Sequence, residues 1–289
     1  MKKNFASSEL KKEYSGFERS KAVIIPCPYE GTVTYQKGTQ KGPAAILEAS
    51  DYMELFDDEL KTETFRIGIH TKSPLRLSQL TVDKAVKIVR NEVEINLRKG
   101  KIPVCIGGEH SISIGGVQAA SNYFTDISVL QLDAHYDLRD RHEGSNYNHA
   151  CVARRFLEYC SLTQLGTRSL CKEEWEFLKN KPRHLTSLSI YDMRSKSDWK
   201  KKVIDSLTNN VYLTLDLDVF DPACMPSVGT PEPGGMYWKE VLDILREVSE
   251  RKKIIGFDVV ELAPISGFIA PDYLAAKLIY RLLGYISDS

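Results

Sequence analysis

A parallel α/β fold, with helices covering both faces of the sheet, is what this sequence predicts, on three observations. Short β-rich runs alternate with stretches of helical periodicity along the chain. Several runs, Ala22–Pro26 and Ile102–Ile106 among them, are apolar throughout, as strands buried on two sides require. Two long segments, Leu138–Asn148 and Phe220–Met236, are polar or rich in Gly and Pro, and each directly follows a run ending in acidic residues. Ligands of open parallel sheets bind beyond the carboxyl ends of the strands, so these loops are where function is expected.

In chain order, strands are expected at Ala22–Pro26, Phe65–Ile69, Ile102–Ile106, Ile127–Leu132, Leu162–Leu165, His184–Leu188, Val211–Leu215 and Ile254–Val260. Helices are expected between them. Pro43–Leu55 begins with Pro in its first turn, where the missing N–H would have no helical partner anyway. Val82–Leu97 carries apolar residues at helical spacing and stops before Gly100, a residue suited to a helix C-cap. Ser111–Asn122, Lys172–Lys179, Ser197–Leu207, Trp238–Glu250 and Tyr273–Ile286 complete the set. No internal repeat, low-complexity tract or Ser/Gly-rich linker interrupts the pattern, so residues 1–289 are read as one domain.

The 39 basic and 39 acidic side chains cancel, leaving no global field to attract nucleic acid or an anionic membrane. Met1–Tyr14 is lysine-rich, without the apolar stretch behind it that makes a secretory signal. No window approaches the roughly 18 apolar residues needed to cross a bilayer. Cys27, Cys105, Cys151, Cys160, Cys171 and Cys224 form no C-x-x-C pair and read as reduced, packed thiols. A cytoplasmic protein with neither nucleic-acid nor membrane partners is expected.

The chemistry concentrates in three short motifs. Asp133-Ala-His135-Tyr-Asp137 follows the run Ile127–Leu132, and side chains two positions apart in extended backbone project the same way. Asp216-Leu-Asp218 repeats that spacing after Val211–Leu215. His110 closes Gly107-Gly-Glu-His, whose glycines permit a sharp turn. Any one of these residues alone would more often be a cap or a salt bridge; their coincidence argues for a site. Asp133, Asp137, Asp216 and Asp218 cannot crowd together as anions without counter-charge, which two divalent cations would supply. Paired ions of hydrolytic sites lie about 3.5–4 Å apart, a span one carboxylate can bridge, and Asp133 and Asp216 are the bridging candidates. Oxygen donors with two imidazoles and no thiolate favour Mn²⁺, with Fe, Co, Ni or Zn as alternatives. A water between such ions ionises near pH 7, so no Ser or Cys nucleophile is needed. No Gly-x-Ser-x-Gly elbow is present, and the Gly107-Gly108 pair lacks a nucleotide-binding spacing.

These motifs resemble those of the ureohydrolases, the arginase–agmatinase family, and its agmatinase branch most. Gly107-Gly-Glu-His-Ser111, Asp133-Ala-His-Tyr-Asp137, Leu215-Asp-Leu-Asp-Val-Phe-Asp-Pro222 and Gly229-Thr-Pro-Glu-Pro-Gly-Gly235 match its motifs in order. Tyr35–Ile46 resembles the agmatinase N-terminal segment and Phe257–Pro264 its late strand. The resemblance implies a three-layer α/β/α fold around a mostly parallel sheet of about eight strands. It also implies two Mn²⁺ ions per chain and hydrolysis of a small cationic guanidino substrate, agmatine first, to urea and putrescine. His110, Asp133, Asp137 and Asp216 would hold one ion; Asp133, His135, Asp216 and Asp218 would hold the other. Asp137 would also accept a hydrogen bond from the attacking hydroxide. His149 matches a histidine that passes protons to the leaving amine, a task suited to an imidazole. Glu261 matches the carboxylate that pairs with the substrate guanidinium. The chain departs from the family pattern at Glu109, where Asp is common, at Asn148 and Ala150 around His149, and in the loop Cys224–Val228.

Substrate choice is expected to rest on the loops. Arg139 stands where arginases place an asparagine, and the loop Leu138–Asn148 resembles agmatinases, with Glu143 or Asp140 expected to attract the distal cation. Thr230 is expected at the substrate wall, shaping its loop together with Asp221. Relatives acting on arginine, guanidinobutyrate, guanidinopropionate or formiminoglutamate share the metal motifs and stay open. A catalytically silent polyamine- or partner-binding relative is disfavoured by retention of every ligand, of His149 and of Glu261. The resemblance further implies a homo-oligomer, a trimer or hexamer.

Overall fold

The computed structural model describes residues 4–6 and 12–288. Its centre is one eight-stranded sheet of β1 (Ala22–Cys27), β2 (Ile69–Thr71), β3 (Ile102–Gly107), β4 (Ile127–Leu132), β5 (Ser161–Thr167), β6 (Leu185–Ser189), β7 (Asn210–Asp216) and β8 (Lys253–Val260). The spatial order is β2-β1-β3-β8-β7-β4-β5-β6, and every pairing in it is parallel. All carboxyl ends therefore open on the same edge. The expected α/β architecture and strand number hold. A two-stranded antiparallel hairpin, Phe56–Asp57 with Thr62–Glu63, stands apart from the sheet.

The helices are α1 (Lys12–Ser15), α2 (Gly42–Ser50), α3 (Val82–Arg98), α4 (Ser113–Tyr123), α5 (Val152–Phe156), α6 (Lys172–Lys179), α7 (Ile190–Ser195), α8 (Trp199–Ser206), α9 (Trp238–Arg251) and α10 (Ala270–Asp288). Alternation along the strands divides the core in two. Ile24, Val104 and Leu130 face one layer with Ile46 of α2, Val241 and Leu245 of α9, and Leu278 and Leu282 of α10. Val23, Ile25, Cys105 and Val129 face the other with Val86 and Val89 of α3 and Val117 of α4. Burying both faces is what made the strands apolar throughout.

Two expected elements are corrected. Phe65–Ile69 is not a strand: Thr64–Ile67 forms a 3₁₀ turn, and β2 begins only at Ile69. Between them Gly68 takes φ 81°, a left-handed conformation that breaks extended backbone, and a Cβ there would stand 2.7 Å from Ser20 Cα. The helix expected over Pro43–Leu55 stops at Ser50. The Ser50 hydroxyl donates to Leu47 O at 2.8 Å and accepts the Ala6 N–H at 2.9 Å, so the chain turns there. The turn buries Met53 and Leu55 and leaves Tyr52 outside. The short α1, α5 and α7 lack the length to show a periodic pattern. Among the described residues no helix is long and apolar enough to cross a membrane, and all six cysteines are free thiols.

Candidate metal centre

Four neighbouring strands in the middle of the sheet, β3, β8, β7 and β4, carry the chemistry at their carboxyl ends. His110 follows β3, Glu261 follows β8, Asp216 ends β7, and Asp133 follows β4. His110 is buried, and its Nδ1 lies 3.1 Å from Asp133 Oδ2, 3.2 Å from Asp216 Oδ2 and 3.4 Å from Asp137 Oδ2. That nitrogen has no hydrogen-bond partner among the described residues. The other ring nitrogen, Nε2, sits 2.9 Å from Thr214 Oγ1, whose proton goes to Asp258 Oδ1 at 2.7 Å. Thr214 therefore accepts from Nε2–H, and the Nδ1 lone pair is left facing three carboxylates.

His135 adds a second grouping. Its Nδ1 is 2.8 Å from Asp218 Oδ2 and 3.8 Å from Asp133 Oδ1. Ligand atoms of His110, Asp133 and Asp216 all lie within 4.8 Å of one another, as do those of Asp133, His135 and Asp218. Asp133 belongs to both groups, as a bridging carboxylate must; Asp216 belongs to the first alone, and Asp137 lies beside it. An imidazole nitrogen aimed at converging carboxylate oxygens fits a divalent cation, for which a proton on Nδ1 stands in when none is bound.

The charges say the same. Burial and Asp218 raise the Asp133 carboxyl, and burial with Asp218 and Asp133 raises that of Asp216 well above the usual range. Burial and Asp133 push Asp137 up to about 7. Burial opposes the cationic forms of His110 and His135, yet the surrounding carboxylates lift both well above 6.5. Burial also works against Asp218, but His135 and the Ala134 N–H hold it at about 2. This cluster is short of positive charge and keeps protons in its place.

Backbone and neutral amides hold these side chains still. Gln131 Nε2 donates to Asp133 Oδ2 at 2.7 Å and is itself oriented by Gln164 at 3.0 Å. The Asp218 N–H donates to Asp216 Oδ1 and the His135 N–H to Asp133 Oδ1. Arg168 donates to the carbonyls of Asp218, Phe220 and Glu232, tying the loop after β7 to the Gly229–Gly235 segment. Asp221 accepts the N–H groups of Ala223, Gly234 and Gly235, the loop-shaping part expected of it. Gly108 lets the His110 turn pass the chain after β1: a Cβ there would meet Tyr29 O at 1.9 Å.

The sequence pattern of the Arginase family matches residues 20–284. The chain belongs to that family. It is 40% identical to the N(1)-aminopropylagmatine ureohydrolase of Synechocystis sp., over 99% of this chain and 95% of that protein. It is 32% identical to an agmatinase of Pyrococcus horikoshii, over 91% of this chain and 90% of that protein. Among solved structures, agmatine ureohydrolase of Thermoplasma volcanium superposes with a TM-score of 0.89 at 30% identity, covering 99% of this chain and 95% of that one.

Above this carboxylate–imidazole cluster the arginase-family chain opens a pocket of about 270 Å³. Its wall includes His149, Glu261 and Thr230, three of the residues singled out from the sequence, and Arg139 and His142 of the Leu138–Asn148 loop. Glu143 is not part of that wall; it is exposed at the tip of the loop, at φ 45°. Asp140 is turned away into an ion pair with Arg155 at 2.6 Å. The wall carboxylate that sequence reasoning passed over is Glu174, buried at the start of α6 and accepting the Leu138 and Cys171 N–H groups. Its only sequence signal was the cap position of a short helix.

Glu261 is 9% exposed, and burial with the nearby Glu109 raises its carboxyl well above the ordinary value. Its Oε1 accepts the His110 N–H at 2.6 Å, while Oε2 faces Gly229, where even a Cβ would stay 3.7 Å away. Glu261 and Asp137 adopt φ of 69° and 50°, a left-handed conformation that costs non-glycine residues about 1–2 kcal/mol and recurs at functional sites. His149 is pushed down to about 4 by burial and by the other imidazoles, and is a neutral base at pH 7. The Asn148 side chain accepts the Ala150 N–H at 2.9 Å, a cap that Ser could equally make.

Proposed function

We propose that this chain hydrolyses the guanidino group of a cationic amine, releasing urea, with N1-aminopropylagmatine as the favoured substrate and agmatine second. The observation that carries the reading is Glu261: a buried carboxylate on the pocket wall, one oxygen fixed by the His110 N–H and the other directed at a side-chain-free surface beside the metal cluster. A planar guanidinium is the cation that such an oxygen orients. The order of the two substrates is supported by the names of the relatives; the motifs alone put agmatine first and did not bring N1-aminopropylagmatine into question.

Two Mn²⁺ ions would be held by His110, Asp133, His135, Asp137, Asp216 and Asp218, and when bound they supply water ionised near neutral pH and a Lewis-acid field. Asp137 orients the attacking water through its carboxylate. Glu261 holds the guanidinium carbon in reach and neutralises its charge. Attack at that carbon breaks the bond to the alkyl nitrogen, and the departing amine takes a proton from His149, which neutral imidazole can first accept from the attacking water. Along the wall, Val33, Tyr35 and Leu170 give the methylene chain an apolar surface, and Glu174 gives its far ammonium a carboxylate.

Arg139 on the same wall favours a second reading, a guanidino acid whose carboxylate it would pair. The Mn²⁺-loaded protein should be assayed for urea release from N1-aminopropylagmatine, agmatine, arginine and guanidinobutyrate side by side. The proposal expects kcat/KM to fall in that order. A higher value for arginine or guanidinobutyrate than for both amines would establish the second reading, and no urea from any of them would remove both.

A further inference from the structure

We propose that Thr32 and Glu109 form a positioning relay that fixes which ring nitrogen of His149 carries the proton. The inference rests on the reading of His149 as the proton carrier. Glu109 precedes the ligand His110 but is turned away from the metal cluster, fully buried. Its carboxylate is saturated by donors: Gly31 N–H at 2.7 Å and Thr32 N–H at 2.6 Å on Oε2, Thr32 hydroxyl at 2.7 Å and Ser111 hydroxyl at 2.5 Å on Oε1. A carboxylate offers about four such positions, and all are used.

Thr32 has a single hydroxyl proton, and Glu109 receives it. The same oxygen lies 3.1 Å from His149 Nδ1 and 3.0 Å from the His149 backbone N–H. With its proton committed, Thr32 Oγ1 can only accept from the ring, so Nδ1 bears the hydrogen and Nε2 keeps its lone pair. Nε2 has no partner among the described residues, and the ring lines the pocket. The relay therefore presents the basic nitrogen to the substrate and fastens both ring and backbone of His149 from one oxygen.

Glu at position 109 has a geometric reason. Its carboxylate spans from the turn after β3 to the Gly31–Thr32 segment after β1, taking both backbone N–H groups of that segment. Thr32 and Glu109 touch neither substrate nor metal in this scheme; they act through His149.

Thr32→Val keeps the shape and removes the acceptor. With Mn²⁺ bound, kcat should fall by about 10- to 100-fold with KM and metal content close to wild type, while the lost hydrogen bonds to Glu109 and His149 lower Tm by only a few degrees. Thr32→Ser, which restores the oxygen, should recover most of kcat. In a His149→Phe background, Thr32→Val should cost nothing further, because the residue it positions is gone. Full kcat in Thr32→Val, a Thr32→Ser variant as slow as Thr32→Val, or an undiminished second loss in the His149→Phe background would each overturn the relay. Should Thr32→Val fail to fold, Thr32→Ala carries the same expectations. The reading beneath is tested separately: if His149→Phe alone keeps wild-type turnover, His149 is not the proton carrier, whatever Thr32 does.

Discussion

Thr214 is where the geometry makes its sharpest demand on the metal centre. Replacing it with Val preserves volume and deletes one oxygen, and with it two buried hydrogen bonds: His110 Nε2 to Oγ1 at 2.9 Å and Oγ1 to Asp258 Oδ1 at 2.7 Å. His110, Thr214 and Asp258 are at most 1% exposed, so water cannot replace what is lost. An imidazole N–H and a carboxylate oxygen would be stranded, each costing about 1–3 kcal/mol. The His110 ring would also be free to place its hydrogen on Nδ1, the atom that faces Asp133, Asp137 and Asp216. Outer partners of this kind typically contribute 10- to 100-fold in metal affinity, equal to about 1.4–2.7 kcal/mol. Calorimetric Mn²⁺ titration of wild type and Thr214→Val should show that weakening, with kcat at saturating metal little changed. The metal-free variant should melt roughly 5 °C lower, and Thr214→Ser should recover affinity. Equal Mn²⁺ affinity in wild type and Thr214→Val would refute the reasoning, since it would mean that His110 needs no partner to present Nδ1.

Three other outcomes are expected. Asp137, raised by burial and Asp133 from 3.8 to about 7, holds more protons folded than unfolded over that range, so in the metal-free protein it costs stability as pH rises through it. Bound cations favour its ionised form and remove that cost. The Tm gap between loaded and metal-free protein should therefore widen from pH 5 to pH 7.5, and Mn²⁺ binding should release more protons at pH 6 than at pH 8; a gap that narrows would contradict the assignment. Glu261→Gln can keep its oxygen on the His110 N–H only by turning its amide donor toward the guanidinium. It should lower kcat/KM by about 100-fold or more with Tm and metal content retained, as measured by urea release and metal analysis. Gly108→Ala would force a Cβ to 1.9 Å from Tyr29 O, backbone against backbone. Denaturant unfolding should show a loss of about 3 kcal/mol or more, and a loss below 1 kcal/mol would mean the turn relaxes freely.

The acid–imidazole cluster was legible because its members sit in short motifs directly after apolar strands. Asp133, His135 and Asp137 lie close along one stretch of chain, but Asp137 leaves extended backbone at φ 50° and Asp218 sits in the 3₁₀ turn Leu217–Val219, so proximity in the chain rather than strand alternation brings them together. The strands were legible wherever two-sided burial demanded an unbroken apolar run. Phe65–Ile69 misled because its apolar side chains serve a 3₁₀ turn, and Gly68 marks the break. Glu143 misled for a related reason: a loop's residue types do not say which of its side chains point inward, and here they are Arg139 and His142.

The amino-acid sequence by itself determined the family, the sheet, and the acid–imidazole set that asks for cations, because each is written in short-range pattern. Only the tertiary structure decided the partners of that set: Glu109 with Thr32 and His149, Thr214 with His110 and Asp258, Glu174 at the pocket wall. These contacts join residues far apart in the chain, and they exist because the parallel sheet brings the segments after β1, β3, β4 and β5 and the ends of β7 and β8 to one edge. A hydrogen bond formed across such a separation depends on where the intervening chain is packed, and no local spacing records it.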